Sequence, residues 1–174
     1  MNKFNDLDKV NAILNNAKFN QELEKINQQE RERIFCKHGL EHLLDVARIM
    51  YIRYLEALTI NSLNYNTISN LNKEIIYATA LLHDLGRAEE YELRKRPHAA
   101  ASADMAKEIL IEAGFHVEDS KLICNAIANH NNAATDKLSD WLQEADWLSR
   151  NCYRCTALDE CNWVEARKNK EITV

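Results

Sequence analysis

Turn residues are scarce in this chain, with three glycines and one proline among 174 residues. That leaves little turn chemistry for a β-rich fold. No apolar stretch reaches membrane-spanning length, and the start, Met1-Asn2-Lys3-Phe4-Asn5-Asp6-Leu7-Asp8, has no apolar core of a secretion signal. A cytosolic location is therefore expected. Positive charge is not in excess either: 22 Lys and Arg stand against 27 Asp and Glu, a net charge of −5. General affinity for nucleic acid or an anionic membrane is disfavoured, although a local basic pocket is not. There is no internal repeat and no low-complexity tract. The length suits one domain with a proper core.

What the chain does contain is helical periodicity. Leu43, Leu44, Ala47, Met50, Tyr51 and Tyr54 mark one apolar face between about 38 and 60. Ala99, Ser102, Ala103, Ala106, Leu110 and Ala113 mark another, opened by Pro97 and closed by Gly114. Leu122, Ile123, Ala126 and Ile127 form a third face, and Leu138, Trp141, Leu142 and Ala145 a fourth. Val10, Ile13, Leu14, Leu23 and Ile26 predict one or two N-terminal helices covering the bundle. The stretch 61–70 reads as a loop. The expected fold is all-α, with a helical cover at 1–35, a central domain at 36–150 and a cysteine-bearing tail at 151–174.

Several ionisable residues fall where a core is expected. His83 and Asp84 end the run Ile75-Ile76-Tyr77-Ala78-Thr79-Ala80-Leu81-Leu82 and precede Leu85-Gly86-Arg87. A carboxylate at the end of a buried element is costly unless paired or metal-bound. Neighbouring helical side chains diverge by about 100°, so both converge on one ion only where the helix ends, which Gly86 is expected to provide. His130 extends a buried stripe through its +3, +4 and +7 spacing from Ile127, Ala126 and Ile123. Asp146 is aligned with Leu142 and Leu138, and His42 with Val46 and Ile49. His98 opens a helix, whose N-terminus favours a neutral, coordinating imidazole. A single inward histidine is more often a hydrogen-bonded core residue than a ligand. Together the six would need six separate explanations. His116 reads simply as a loop residue.

In chain order these residues resemble the HD superfamily of metal-dependent phosphohydrolases over roughly 36–150. The matching contexts are His42-Leu43-Leu44-Asp45-Val46-Ala47-Arg48, Leu81-Leu82-His83-Asp84-Leu85-Gly86-Arg87 and Ala145-Asp146-Trp147-Leu148-Ser149-Arg150. His38 competes for the first position, but His42 stands four residues before the Val-Ala pair, as the family ligand does. His98 and His130 extend the resemblance to the binuclear branch. That branch includes symmetrical diadenosine tetraphosphatases, cyclic-dinucleotide phosphodiesterases and inositol-oxygenase-like di-iron enzymes. Small bacterial HD hydrolases with a cysteine-bearing tail look similar.

The resemblance implies that His42, His83 and Asp146 hold one metal, that His98 and His130 hold the other, and that Asp84 bridges them. Two divalent ions about 3.5–4 Å apart share and activate a hydroxide and clamp a phosphoryl group. The donors suit Mn, Fe, Co or Ni. Arg87 and Arg150 are candidate phosphate contacts, Arg150 lying one turn beyond Asp146. His38 is a candidate general acid, with an N-terminal surface residue as the plain alternative. Ala88 to Pro97, carrying Glu89, Glu90, Glu92, Arg94, Lys95 and Arg96, reads as a solvated loop or a lid over a polyphosphate.

Cys152, Cys155 and Cys161 form C-x2-C-x5-C beyond the helix of Asp146. In a cytosolic chain such cysteines are free thiols or metal ligands. Cys36 is the candidate fourth ligand for a structural zinc or an iron–sulfur cluster. It lies six residues before His42 and Cys152 six after Asp146, each about 9 Å along a helix axis, so antiparallel helices would bring both to one end. Cys124 reads as a core residue.

The implied activity is hydrolysis of a phosphoester or phosphoanhydride in a nucleotide or small phosphorylated metabolite. The alternatives are a di-iron oxygenase on the same ligands and a regulatory module sensing a nucleotide. The oligomeric state stays open, a homodimer included.

Overall fold

The computed structural model describes residues 7–59, 70–93, 96–132 and 136–172. Among them are eight α-helices and no strand, as expected for an all-α fold. They are α1 (Asp8–Leu14), α2 (Ala17–Gln29), α3 (Leu40–Thr59), α4 (Lys73–Leu82), α5 (Arg87–Leu93), α6 (His98–Glu112), α7 (Val117–Asn129) and α8 (Lys137–Leu148). Two short 3-10 turns, Cys152–Arg154 and Glu165–Arg167, follow. Apart from Asn70, the stretch read as a loop at 61–70 lies outside the described residues. No helix among the described residues is long and apolar enough to cross a membrane.

Helix α4 is the axis of the bundle. Its side chains from Ile75 to Leu82 are all buried except Tyr77, which is partly so. A helix apolar on every side is stable only when surrounded, and α4 touches α1, α3, α6, α7 and α8. Asn72 starts it, its side chain accepting from the Ile75 N–H at 3.0 Å. Helices α3 and α8 pack together on one side of α4, and α7 bridges α6 and α8. The N-terminal helices close the remaining side, α1 against α4 and α6, and α2 against α5.

The segment 88–97, read as a solvated loop or else a lid, is helical up to Leu93. Residues Arg87–Leu93 form α5 because Ala88, Glu89, Glu90 and Glu92 are good helix formers or favour a helix start, and no Gly or Pro interrupts them. Ala88 is buried and anchors this helix, while residues 94–95 lie outside the described residues.

Gly114 ends α6 as the sequence suggests, in the left-handed region at φ 82°. The Phe115 N–H reaches the Leu110 carbonyl at 3.0 Å, closing the helix end. Gly86 works differently from expectation. It is not left-handed among the described glycines. A Cβ there would stand 2.4 Å from the His98 carbonyl oxygen and 2.6 Å from the Ser102 nitrogen. The Gly86 N–H also donates to Ser102 Oγ at 2.8 Å. The missing side chain lets the start of α6 lie directly against the turn that carries Asp84. Gly86→Ala should therefore destabilise the fold by about 3 kcal/mol, the upper range for overpacking. Gly114→Ala, which meets open space and only backbone strain, should cost about 1 kcal/mol. Urea unfolding of both variants measures the difference.

Candidate metal centre

Helix α4 stops at His83, and tight turns follow, with the Arg87 N–H bonded to the Asp84 carbonyl at 3.0 Å. The loosened backbone lets neighbours His83 and Asp84 face the same space. His42 comes from the first turn of α3, His98 from the first position of α6, His130 from the C-terminal cap of α7 and Asp146 from the last turn of α8. These residues form two donor groups sharing one member: His42, His83, Asp84 and Asp146, then Asp84, His98 and His130. Within each group the potential ligand atoms lie within 4.8 Å of one another.

Asp84 lies between them. Its Oδ2 is 3.6 Å from His42 Nε2 and 3.4 Å from His83 Nε2, while Oδ1 is 3.4 Å from His98 Nε2. Asp146 Oδ1 approaches His42 Nε2 at 3.4 Å. Each imidazole is fixed from behind through Nδ1. His83 Nδ1 meets the Ala80 carbonyl and His130 Nδ1 the Ile127 carbonyl, both at 2.7 Å. A carbonyl only accepts, so Nδ1 carries the proton and Nε2 presents a lone pair. His98 Nδ1 lies 2.7 Å from Glu90 Oε2, which imposes the same tautomer. Ser149 Oγ donates to the Asp146 carbonyl and accepts from His42 Nδ1 at 3.2 Å.

The consequence is a set of acceptors facing acceptors. His42 Nε2, His83 Nε2, His130 Nε2, both Asp84 oxygens and Asp146 Oδ1 are buried without a hydrogen-bond partner. Buried polar atoms are rarely left so. Lone pairs cannot satisfy one another, whereas a cation satisfies them together. The donor chemistry fits a divalent metal.

Electrostatics agree. Burial pushes the Asp84 carboxyl up, but the Arg87 guanidinium holds it well below the usual carboxylate range. Asp146 is raised by burial and by Asp84, yet His83, Arg150 and His42 bring it below its ordinary value. Burial lowers His83 to about 4 and also lowers His130, so both rings are neutral at neutral pH and able to coordinate. Arg87 Nε stands 2.6 Å from Asp84 Oδ2, out of line for a hydrogen bond.

His38 is not a surface residue, nor does it join either donor group. It is buried, with its ring centroid 5.3 Å from that of His42. Its Nδ1 is 2.6 Å from Glu30 Oε1 and its backbone N–H donates to Glu30 Oε2 at 2.7 Å. Tyr91 Oη donates to the same carboxylate at 2.6 Å. Burial lowers the His38 pKa despite Glu30. Burial alone would raise Glu30, but its bonds from His38 and Tyr91 take it down to about 2.

Arg150 lies 3.5 Å from Asp146 Oδ2, and its guanidinium carbon sits 3.7 Å over the Trp163 ring. A cleft of about 570 Å³ opens beside His42, with Lys37, Ser149, Arg150 and Arg154 in its lining. Cys36 lies ahead of α3, not on it, and Cys152 sits in the 3-10 turn after α8, so the reckoning along helix axes does not apply to them. The two nonetheless meet, lining one small cavity with Cys161, while Cys155 lines the cleft that Cys36 also borders. All five cysteines are free, and Cys124 is buried as expected.

Glu30, Glu90 and Ser149 are the supporting residues that sequence reasoning missed or misassigned. Glu90 stood in the segment read as lid or loop, and its spacing of eight residues before His98 is the one legible hint. Glu30 sits in the charged run Gln28-Gln29-Glu30-Arg31-Glu32-Arg33, which carries no sign of burial.

The sequence profile of the HD domain family matches residues 39–152. A protein of Clostridium beijerinckii, described as uncharacterized, is 39% identical over 166 residues, spanning 95% of this chain and 99% of the relative. No solved structure matches.

Glu90→Ala should weaken metal binding about 10- to 100-fold, the usual effect of losing the carboxylate behind a ligand histidine; competitive chelator titration reads it. Glu30 gives a pH prediction. Its folded pKa is depressed to about 2, so its stabilisation is complete above the ordinary carboxylate range and is lost as pH falls towards 2. Glu30→Gln should cost roughly 1–2 kcal/mol at pH 7 after allowing for solvent screening, and progressively less below pH ~4.5. Denaturant midpoints across that range measure the convergence.

Proposed function

The chain belongs to the HD domain family, and on that premise we propose that it is a cytoplasmic phosphohydrolase that uses two divalent ions on a nucleotide or another small phosphorylated metabolite. The family is one of metal-dependent phosphohydrolases. The observation that carries the reading is Asp84, with one oxygen towards each donor group.

On this reading His42, His83, Asp84 and Asp146 hold one ion, and Asp84, His98 and His130 hold the other. Bound Mn, Fe, Co or Ni supplies Lewis-acid activation of water and of phosphoryl oxygens. The remaining work belongs to the protein. Arg87 stays charged, with Nε beside Asp84, and its guanidinium is the group that would meet a phosphoryl oxygen. Arg150, braced by Trp163, meets the substrate's second anionic group from the cleft. His38 has Nδ1 committed to Glu30, which leaves Nε2 as the atom that takes and returns a proton. The cleft is lined by the cations Lys37, Arg150 and Arg154 and by the carboxylates Glu41 and Asp45, a slight positive excess in a chain of net charge −5.

Purified protein should release phosphate from a panel of nucleotides and sugar phosphates in the presence of Mn²⁺. His98→Ala, His130→Ala and Asp84→Asn should each lower kcat roughly 100-fold or more. Unchanged turnover in both histidine variants would reduce the centre to one ion. Iron-dependent substrate oxidation without phosphate release under any metal would replace the hydrolase with a di-iron oxygenase.

A further inference from the structure

The tail after α8 buries few apolar side chains, and its far end is tied back by Asn169 Nδ2 to the Trp147 carbonyl and by Trp147 Nε1 to the Arg167 carbonyl, both at 2.8 Å. From 151 to 172 its backbone runs through 3-10 turns and bends, and Cys152, Ala157 and Asn169 are its buried residues. Successive turns link the cysteines: the Cys155 N–H to the Cys152 carbonyl at 3.2 Å, Leu158 to Cys155 at 3.4 Å, and Cys161 to Leu158 at 3.3 Å. A segment that buries so little is commonly held by a staple, such as a disulfide or a metal. All of its cysteines are free.

Cys36 is the meeting point. It shares a cavity of about 60 Å³ with Cys152 and Cys161, and it shares the wall of the neighbouring cleft with Cys155. Burial raises its thiol, with the Arg150 guanidinium opposing the rise and Cys152 and Cys155 adding to it. Arg33, Arg150 and Arg167 line the small cavity and Arg154 the cleft. Cations around the thiols suit a centre whose four thiolates outweigh the charge of their metal.

We propose that Cys36, Cys152, Cys155 and Cys161 form a four-thiolate metal centre, separate from the His/Asp donors, that pins the tail against the segment leading into α3. Soft thiolates select zinc or an iron–sulfur cluster. Bonds of 2.3 Å around one zinc place thiolates about 3.8 Å apart. Among the described residues no three of these thiols lie within 4.8 Å of one another, so a single zinc would have to draw them together. The centre fixes Arg150 and Arg154 at the cleft.

The test uses the full chain purified anaerobically without chelator, assayed for iron, zinc, acid-labile sulfide and thiol reactivity. Either of two results supports the centre: about one thiolate-bound zinc per chain, or iron with matching sulfide and a visible charge-transfer band. Cys155→Ser and Cys161→Ser should lose that metal, whereas Cys124→Ser should keep it. The double variant His42→Ala, Asp146→Ala should also keep it while losing the other metals, so the two centres fail separately. Should the cysteine variants not fold, unaltered protein still answers. Alkylation read by mass spectrometry should spare these four cysteines until a strong chelator is added. Four thiols that react equally with and without chelator, in protein free of zinc and of iron with sulfide, would overturn the proposal.

Discussion

A buried carboxylate with no hydrogen-bond donor of its own is the constraint from which the rest of the molecule follows. Asp84 is fully enclosed, and the atoms nearest it are imidazole lone pairs and the Arg87 guanidinium. Removing an anion from water costs several kcal/mol, so the site is a liability without positive charge at its centre. The fold accepts it because α4 must be buried on all sides, and Asp84 sits where that helix gives out. Arg87 lessens the liability, and the fixed tautomers of the histidines leave the remainder to a metal.

Those tautomers show how backbone and chemistry are joined. His83 and His130 each cap the helix that carries them, and each borrows a carbonyl three residues back to hold its proton. The last turns of α4 and α7 therefore satisfy a helix-end carbonyl and orient a ligand with one bond. His98, at a helix start, has no such carbonyl and takes Glu90 from α5 instead. His42, in a first turn as well, leans on Ser149 beyond the end of α8.

Most donors were legible in the sequence because they extend an apolar stripe at helical spacing, and periodicity reports facing; His98 was legible only as a helix start after Pro97. His42, His130 and Asp146 were reached that way, and His83-Asp84 by the length of the run before it. Glu30 and Ser149 were not, since their partners lie far along the chain and their neighbours are polar, which resembles an ordinary solvated surface. The segment 88–97 misled through its charges. Arg94, Lys95 and Arg96 suggested a solvated loop, although Ala88 to Glu92 have helical propensity and one buried anchor. Gly86 was recognised for its position but assigned the wrong reason, because steric contact with a helix sixteen residues away has no local signature. Cys36, Cys152 and Cys161 line one cavity, reached through non-helical backbone that spacing along helix axes does not describe.

The contact at Gly86 has one more bearing. The backbone of the Asp84 turn rests directly on the first residues of α6, where His98 begins. Main chain therefore sets how close the Asp84 turn stands to the start of the helix that carries His98. Any divalent ion bound there would meet an imidazole-rich donor set whose spacing is set partly by main chain and not by side-chain rotamers alone.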